Sequence, residues 1–230
     1  SLYLKCKTIF YFYNHELFFL FLFPQTLILY KTLKKYYNIP MKIITVPDPR
    51  LRQPSTRVNH ITDETKEVVR QMIDASLEWE KQHPHELSAA MAAPQLGINK
   101  RIIIIRDDLD DKNNASFTAL IDPEVIKASG KIVSDYEGCL SVPFIYGLVP
   151  RTSKLRIKAK LIDGTEVRIK AEDNLARTLA HEIDHLNGIL FIDHIKDDEK
   201  AFFELDKNGD LKPLNYDQRI KNNLELFPDD

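Results

Sequence analysis

Residues 173–188 read DNLARTLAHEIDHLNG and predict a helix with two different faces. One face carries apolar residues at helical spacing, namely Leu175, Leu179, Ile183 and Leu186. Such a stripe is buried when a helix packs on a core. Asp173 or Asn174 can cap the start of the helix, and Gly188 can end it. We therefore expect this amphipathic helix to lie at the centre of the fold.

The same helix carries an H-E-x-x-H motif, His181-Glu182-Ile183-Asp184-His185. Histidines four residues apart stand on one face of a helix, so that both imidazoles can bind one metal ion. Glu182 lies about 100° further round the helix. It can take a proton beside the ion without being a ligand itself. The motif predicts a metal-dependent hydrolase.

A catalytic site of this kind needs a third protein ligand. In common zinc peptidases it is a downstream Glu or His, which makes Glu199 or Glu204 candidates. The upstream candidate is Cys139, in the sequence EGCLS at residues 137–141. Gly138 permits close approach of the backbone, and a thiolate is a strong ligand for a borderline ion. We favour Cys139.

Composition excludes other classes of function. The chain has 230 residues, 43% of them hydrophobic, and 32 basic against 34 acidic side chains give a net charge of -2. It lacks the basic character of nucleic-acid-binding proteins, so we expect no direct nucleic-acid binding. Only two cysteines occur, Cys6 and Cys139, which argues against a disulfide framework.

The first forty residues are typical of a targeting sequence. Lys5 and Lys7 precede an apolar, aromatic stretch at residues 9–30, and a basic segment follows at residues 31–38. The longest uninterrupted apolar run is far shorter than the roughly 20 residues that span a bilayer. We expect residues 1–40 to be a signal-like and transit-peptide-like presequence, and residues 41–230 a single catalytic domain with a charged C-terminal tail. The alternative is an amphipathic or membrane-anchoring helix that is retained.

The remaining pattern predicts one more helix and several strands. A helix capped by Thr62 ends before Pro84. The predicted strands cover residues 42–46, 101–106 (RIIIIR), 117–121, 154–162 and 165–171. Asp122-Pro123 is expected to end the third strand, and Asp163-Gly164 to turn the chain between the last two. The predicted class is α+β, with short antiparallel β-sheets around a central helix that carries HExxH.

Three motifs together resemble the peptide deformylase family. They are AAPQ at residues 92–95, EGCLS at 137–141 and HEIDH at 181–185, in the order and rough spacing of the signature motifs of that family. The similarity extends from PDPRLR at residues 47–52 through LVPR at 148–151 to HLNG at 185–188. The resemblance is to organelle-targeted, bacterial-type members of the family.

The resemblance implies an enzyme that removes the formyl group from the N-terminal formyl-methionine of nascent polypeptides and releases formate. It implies three metal ligands, Cys139, His181 and His185. Glu182 would move the proton, while the Gln95 side-chain amide and the Leu140 backbone N–H would stabilise the developing oxyanion. One divalent ion per chain is expected, with Fe²⁺ favoured and Zn²⁺, Ni²⁺ or Co²⁺ as alternatives.

Other matching positions are expected to support this chemistry. Ala90 and Gly138 fall at substrate-binding positions of the family. Glu137 and Arg151 match a pair that braces the ligand loop, and Asp184 is a candidate for orienting the helix. A surface-charge role for Glu137, Arg151 and Asp184 is an open alternative.

The sequence departs from the family pattern around the cleft. Ser88 and Ala90 replace two glycines of the first motif, Ala180 replaces a glutamine, and Phe144 stands where a glycine commonly follows CLSxP. Glycine permits a positive φ or a close backbone approach that other residues resist. We expect these changes to affect substrate docking rather than the chemistry.

The expected partners are formyl-methionyl nascent peptides at an organellar ribosome, with a mature domain that is not inserted in a membrane. Formylated initiator methionine belongs to bacterial-type translation, which eukaryotes keep in plastids and mitochondria. The signal-like start favours a plastid of the apicoplast type over a mitochondrion. The alternative functions are a zinc peptidase that uses Glu199 or Glu204 and a non-catalytic metal-binding homologue, such as a ribosome-associated module.

Overall fold

The computed structural model describes residues 41–228, apart from 84, 85, 110, 112, 207 and 208, together with two short strands near the N-terminus. These strands, β1 (Phe12–Tyr13) and β2 (Glu16–Leu17), pair antiparallel. The chain divides into two compact units, Ser1–Ile39 and Pro40–Asp230. The rest of the expected presequence, with Cys6, lies outside the described residues, and its removal stays a prediction.

The second unit contains a seven-stranded sheet in which every pair of strands is antiparallel. Its strands are β3 (Ala90–Ala92), β4 (Ile102–Arg106), β5 (Phe117–Cys139), β6 (Val142–Lys160), β7 (Glu166–Glu172), β8 (Phe202–Leu205) and β9 (Leu211–Pro213). The order is β3-β4-β5-β6-β8-β9, and β7 also pairs with β6. The helices are α1 (Asp63–Gln82), α2 (Asp173–Leu186) and α3 (Tyr216–Arg219). The predicted α+β class is confirmed.

Strand β4, within RIIIIR, explains how the sheet is covered on both sides. Successive side chains of a strand point to opposite faces. Ile103 and Ile105 belong to the apolar cluster around α2, whereas Ile102 and Ile104 belong to the cluster that includes Met72 of α1. One helix therefore covers each face of β4, and the prediction of a buried strand here is confirmed.

Strands β5 and β6 are much longer than predicted, at 23 and 19 residues. The prediction that Asp122-Pro123 ends the strand is wrong. The register of β5 against β6 shifts between Ile121 and Glu124, and Asp122 has a φ of 51° there. A bulge leaves residues unpaired, so the missing N–H of Pro123 disturbs no ladder bond and the strand continues.

The predicted strand at residues 42–46 is also wrong, since this segment belongs to no sheet. Its N–H groups bond to two different loops: Ile44 to the carbonyl of Gln95 at 2.8 Å and Val46 to the carbonyl of Ser141 at 2.9 Å. Bonds to separate partners do not form a ladder. The segment instead holds together two loops that turn out to carry site residues.

The two long helices begin and end close to the predicted residues. Thr62 caps α1 as expected, while Pro84 lies outside the described residues. Helix α2 begins at Asp173 with Glu172 at the N-cap, so its cap is one residue earlier than predicted. Gly188 follows the helix with a φ of 76°, a conformation typical of a glycine that ends a helix.

The charged tail contains more β structure than its pattern predicts. Strands β8 and β9 precede the short helix α3, and buried apolar residues of this region pack with Phe191 and Val149. Those residues include Phe202, Leu214, Ile220 and Phe227. Within the described residues, none of the helices combines the length and the hydropathy needed to cross a membrane.

Candidate metal centre

Helix α2 and the end of β5 bring three metal donors together. The donor atoms of Cys139, His181 and His185 all lie within 4.8 Å of one another, and no other such group of three occurs among the described residues. The Cys139 Sγ lies 3.2 Å from the His185 Nε2. Neither alternative third ligand joins them: Glu199 is exposed, and Glu204 pairs with Arg219 at 3.4 Å.

The surroundings of these donors fit a divalent cation. The His181 Nδ1 lies 2.9 Å from the Glu137 Oε2, which leaves its Nε2 for a metal, as in many carboxylate–histidine–metal sites. His185 is almost fully buried, and burial holds its pKa well below the usual range, which favours the neutral form that binds metal. Burial lowers the pKa of His181, but hydrogen bonds to Cys139 and Glu137 outweigh it and raise this pKa, so a cation there would compete with a proton. Two imidazoles and a thiolate suit Fe²⁺, Zn²⁺, Ni²⁺ or Co²⁺.

Glu182 lies beside the donors but is not one of them. Its carboxyl group is buried, and burial raises its pKa to about 7. One of its oxygens, Oε2, has no hydrogen-bond partner among the described residues. A carboxyl group in this state can gain or lose a proton near neutral pH, as a general acid or base requires.

A buried ion-pair network supports the ligand helix. Arg151 donates from Nε and Nη2 to the Glu137 carboxylate at 2.7 and 2.9 Å, and from Nη1 to Asp184 at 2.6 Å. Burial raises the pKa of Glu137, but hydrogen bonds from His181 and Arg151 outweigh it and hold the pKa well below its usual range. Asp184 also contacts His194 at 2.7 Å. The three residues expected to brace the site therefore lie in one network.

Arg177 belongs to this network and was not predicted. Its guanidinium donates to Glu137 at 2.7 Å and to the carbonyl oxygens of Val149 and Val133 at 2.8 and 2.7 Å. It precedes His181 by four residues, so both side chains lie on one face of α2. The four-residue spacing from His181 was the signal in the sequence that could have indicated Arg177. Its bonding partners lie in β5 and β6, however, and no local sequence pattern identifies them.

The two residues expected to stabilise the oxyanion lie beside the metal donors. The Gln95 Oε1 accepts a hydrogen bond from the Ala92 N–H at 2.8 Å, which directs the Nε2 toward Cys139 Sγ at 3.6 Å and Ser141 Oγ at 3.3 Å. Leu140 follows Cys139 directly and lines the same cavity. Gln95 and Leu140 thus lie where sequence motifs predicted them, beside the metal donors.

A cavity of about 690 Å³ opens onto these residues and is also lined by Ala90 and Gly138. A side chain at Gly138 would put its Cβ 2.7 Å from the ring of Tyr146, so the glycine leaves room for this ring. The Tyr146 hydroxyl donates to Glu86 at 2.9 Å. A cavity of this size is typical of a site that holds a small ligand or a short piece of peptide.

The departures from the family pattern have different surroundings. The Ser88 hydroxyl lies 2.6 Å from the Ser76 hydroxyl, and the backbone N–H of Ser88 donates to the Glu80 carboxylate. Glu80 in turn pairs with the buried Arg106 at 2.5 Å. Ser88 therefore belongs to a buried polar network and also lines the cavity. Ala180 packs on the core around α2. Phe144 alone projects into solvent, at the mouth of the cavity.

A buried HExxH helix that faces a cysteine thiol and a lined cavity is the site of a metallohydrolase. The chain belongs to the peptide deformylase family, because the family model for polypeptide deformylase matches residues 40–201. Its function is the removal of the N-terminal formyl group from nascent polypeptides.

Individual relatives agree with this assignment. The peptide deformylase of Thermomicrobium roseum is 42% identical over 158 residues, 67% of this chain and 85% of that protein. The crystal structure of a peptide deformylase from Synechococcus elongatus with actinonin has a TM-score of 0.60 at 35% identity and covers 67% of this chain and 78% of the other. An inhibitor complex of the Plasmodium falciparum enzyme has a TM-score of 0.57 at 35% identity, with coverage of 66% and 88%.

Proposed function

We propose that Cys139, His181 and His185 hold the catalytic cation of this deformylase and that Glu182 carries the proton between water and the leaving amine. The single observation behind this is the convergence of the three donor atoms within 4.8 Å, next to a buried carboxyl group. A divalent cation bound there supplies a Lewis acid that lowers the pKa of water and polarises the formyl carbonyl.

The residues around the donors have separate tasks in the proposed reaction. The Gln95 amide and the Leu140 N–H stabilise the negative charge that develops on the formyl oxygen, and each such donor contributes about 3 kcal/mol in comparable sites. Glu182 accepts a proton from the attacking water and passes it to the amine as the C–N bond breaks. The products are formate and a peptide with a free amino group.

The proposed native metal is Fe²⁺. A ligand set of one thiolate and two imidazoles suits several borderline ions, so the supply in the cell decides between Fe²⁺, Zn²⁺, Ni²⁺ and Co²⁺. A thiolate beside ferrous iron makes the enzyme sensitive to oxygen. Metal analysis of protein purified without air should give about one iron per chain. Protein that carries one zinc per chain and is fully active after aerobic purification would contradict this.

Three variants test the proposed roles in one experiment. Cys139→Ala should lose both bound metal and formate release from a formyl-Met tripeptide. Glu182→Gln should keep its metal but lose at least about a hundredfold in kcat, the usual contribution of a proton carrier. Glu204→Gln is the matched control and should keep both. If Cys139→Ala retained its metal and Glu204→Gln lost it, the third ligand would be Glu204 and not Cys139.

We also propose that residues 1–40 direct the enzyme to an organelle. A plastid of the apicoplast type is favoured over a mitochondrion. There the enzyme acts on chains that leave an organellar ribosome. The basic and apolar pattern of this segment and the need for formylated substrates support the proposal. A fluorescent protein fused behind residues 1–41 should enter that organelle. Fluorescence that stays in the cytosol would contradict the proposal.

A further inference from the structure

Three large apolar side chains are exposed at the mouth of the cavity. Tyr136, Phe144 and Leu205 expose 47%, 78% and 41% of their surfaces, and all three line the cavity that contains the metal donors. We call these three residues the apolar rim. Exposed apolar groups that adjoin a binding cavity are typical of surfaces that contact a ligand.

The rim residues lie on three neighbouring strands of the sheet, β5, β6 and β8. Strands β6 and β8 pair Tyr146 with Phe203 and Gly147 with Phe202. Phe144 lies two residues before Tyr146 in β6, and Leu205 lies two residues after Phe203 in β8, so both lie close to this pairing along the chain. The ring of Tyr136 in β5 packs edge-on against Phe203, with 5.0 Å between the ring centroids. The rim residues therefore come from three neighbouring strands and line one cavity.

The backbone at Phe144 is a second unusual feature of the rim. Phe144 has a φ of 65°, a left-handed conformation that glycine adopts freely and an aromatic residue resists. Its side chain contributes little to the core, since most of it is exposed. Backbone strain of this kind is found mainly at functional sites.

The rim also distinguishes this chain from the family pattern. Phe144 occupies a position where the family commonly has glycine, and Leu205 lies beyond residue 201, where the match to the family model ends. Two of the three rim residues therefore lie at positions that the shared motifs do not specify.

We propose that the apolar rim binds the second and third residues of the nascent peptide and gives this enzyme a preference for large apolar side chains there. The proposal rests on the proposed function, which puts the formyl-methionine at the metal donors inside the cavity. The residues that follow methionine then have to cross the mouth of the cavity. An apolar side chain at the rim removes apolar surface from water, whereas a polar one does not.

Two peptides that differ only after methionine test the proposal. The wild-type enzyme should deformylate formyl-Met-Leu-Leu amide with a kcat/KM about fivefold or more above that for formyl-Met-Ser-Ser amide, since burial of roughly 40 Å² of apolar surface corresponds to such a factor. Phe144→Gly and Leu205→Ser should each lower this ratio to about twofold or less. Glycine suits the positive φ, so Phe144→Gly should fold as well as the wild type.

Leu224→Ser is the matched control, because Leu224 is 61% exposed but does not line the cavity, and it should keep the wild-type ratio. A wild-type ratio near one, or a ratio that neither rim variant changes, would overturn the proposal. Dissociation constants of the same two peptides for Glu182→Gln should show the same preference. Absence of turnover in the wild type would contradict the proposed catalytic roles, while these constants would still decide the question of the rim.

Discussion

Gly188 occupies a position that admits no side chain. Its φ is 76°, and a Cβ built there would lie 2.4 Å from the backbone oxygen of Arg52. Backbone atoms cannot rotate away as the end of a flexible side chain can. The glycine therefore allows the segment after α2 to pack directly against the chain near Arg52.

We expect Gly188→Ala to lower the free energy of unfolding by about 2–4 kcal/mol, from the positive φ and the steric overlap together. Gly164→Ala is the matched control, since Gly164 has a φ of 90° but a Cβ added to it would have no atom within 4 Å. Gly164→Ala should lower the free energy of unfolding by about 1 kcal/mol, from the positive φ alone. Urea denaturation followed by circular dichroism measures both. Equal effects in the two variants would show that steric overlap adds nothing.

Single residues with a strict local spacing were predictable. His181, Glu182 and His185 follow from the 3.6-residue period of one helix, and Cys139 follows from the motif around it. Arg177 could not be identified in this way, because two of its partners are carbonyl oxygens of β5 and β6. Every residue has a backbone carbonyl, so the sequence does not indicate which carbonyl accepts a hydrogen bond from Arg177. Only the folded structure shows this contact.

At the scale of elements, Arg177 makes one of the buried polar connections between α2 and the β5–β6 pair, beside Arg151–Asp184 and His181–Glu137. It is largely buried, with 11% of its side chain exposed, and it bonds both to Glu137 and to backbone oxygens. Loss of one partner leaves the others buried and unpaired, which costs more than the bond itself contributes. Removal of the Arg177 side chain should therefore weaken the contact between the helix and the two strands.

We expect Arg177→Leu to lower the free energy of unfolding by about 2–4 kcal/mol. Arg70→Leu on α1 is the matched control, because Arg70 also bonds to two carboxylates, Glu67 and Asp74, but is 46% exposed. An exposed pair of this kind contributes about 0–1 kcal/mol. Urea denaturation of both variants makes the comparison. A similar small loss in both would show that the Arg177 contacts add no stability beyond that of surface pairs.

Elements were predicted well where their signal is local. Helices α1 and α2 were found within about a residue because capping residues and apolar periodicity lie inside each segment. The lengths of β5 and β6 were not found, since the bulge after Ile121 depends on pairing with a strand that lies over thirty residues away. Proline usually ends a strand but is tolerated at a bulge, and a bulge can be recognised only when the partner strand is known.

At the scale of the whole molecule, the candidate metal site joins separate parts of the fold. Cys139 lies at the end of β5, and both histidines lie on α2, which packs on the other side of the core from α1. A cation held by all three donors would link the sheet to its central helix. Metal binding should therefore stabilise the native fold as well as support catalysis.

We expect removal of metal by a chelator to lower the Tm, and addition of Zn²⁺ to raise it again in proportion to the logarithm of the metal concentration. Binding at a hundred times Kd contributes about 2.7 kcal/mol, which is several degrees for a protein of this size. Cys139→Ala should show little of this shift. Differential scanning fluorimetry gives both curves, and equal shifts in the variant and the wild type would exclude Cys139 as a ligand.

The global arrangement was only partly predictable. The α+β class and the central position of α2 follow from its apolar stripe, but the charged composition of the tail did not predict strands β8 and β9. Strand β8 forms by antiparallel pairing with β6 at Tyr146 and Gly147. A short charged segment gains its conformation from such a neighbour, and its own composition does not reveal this.

The spacing of the three donors also determines how the denatured chain handles metal. His181 and His185 are four residues apart, so they can share an ion whenever a single helical turn forms. The sulfur is 46 residues from His185 in the chain and meets it only in the native fold. Affinity that the two imidazoles provide while such a turn is formed is present in both states and adds less to native stability than the thiolate does. It is the thiolate that makes the ion discriminate between folded and unfolded molecules.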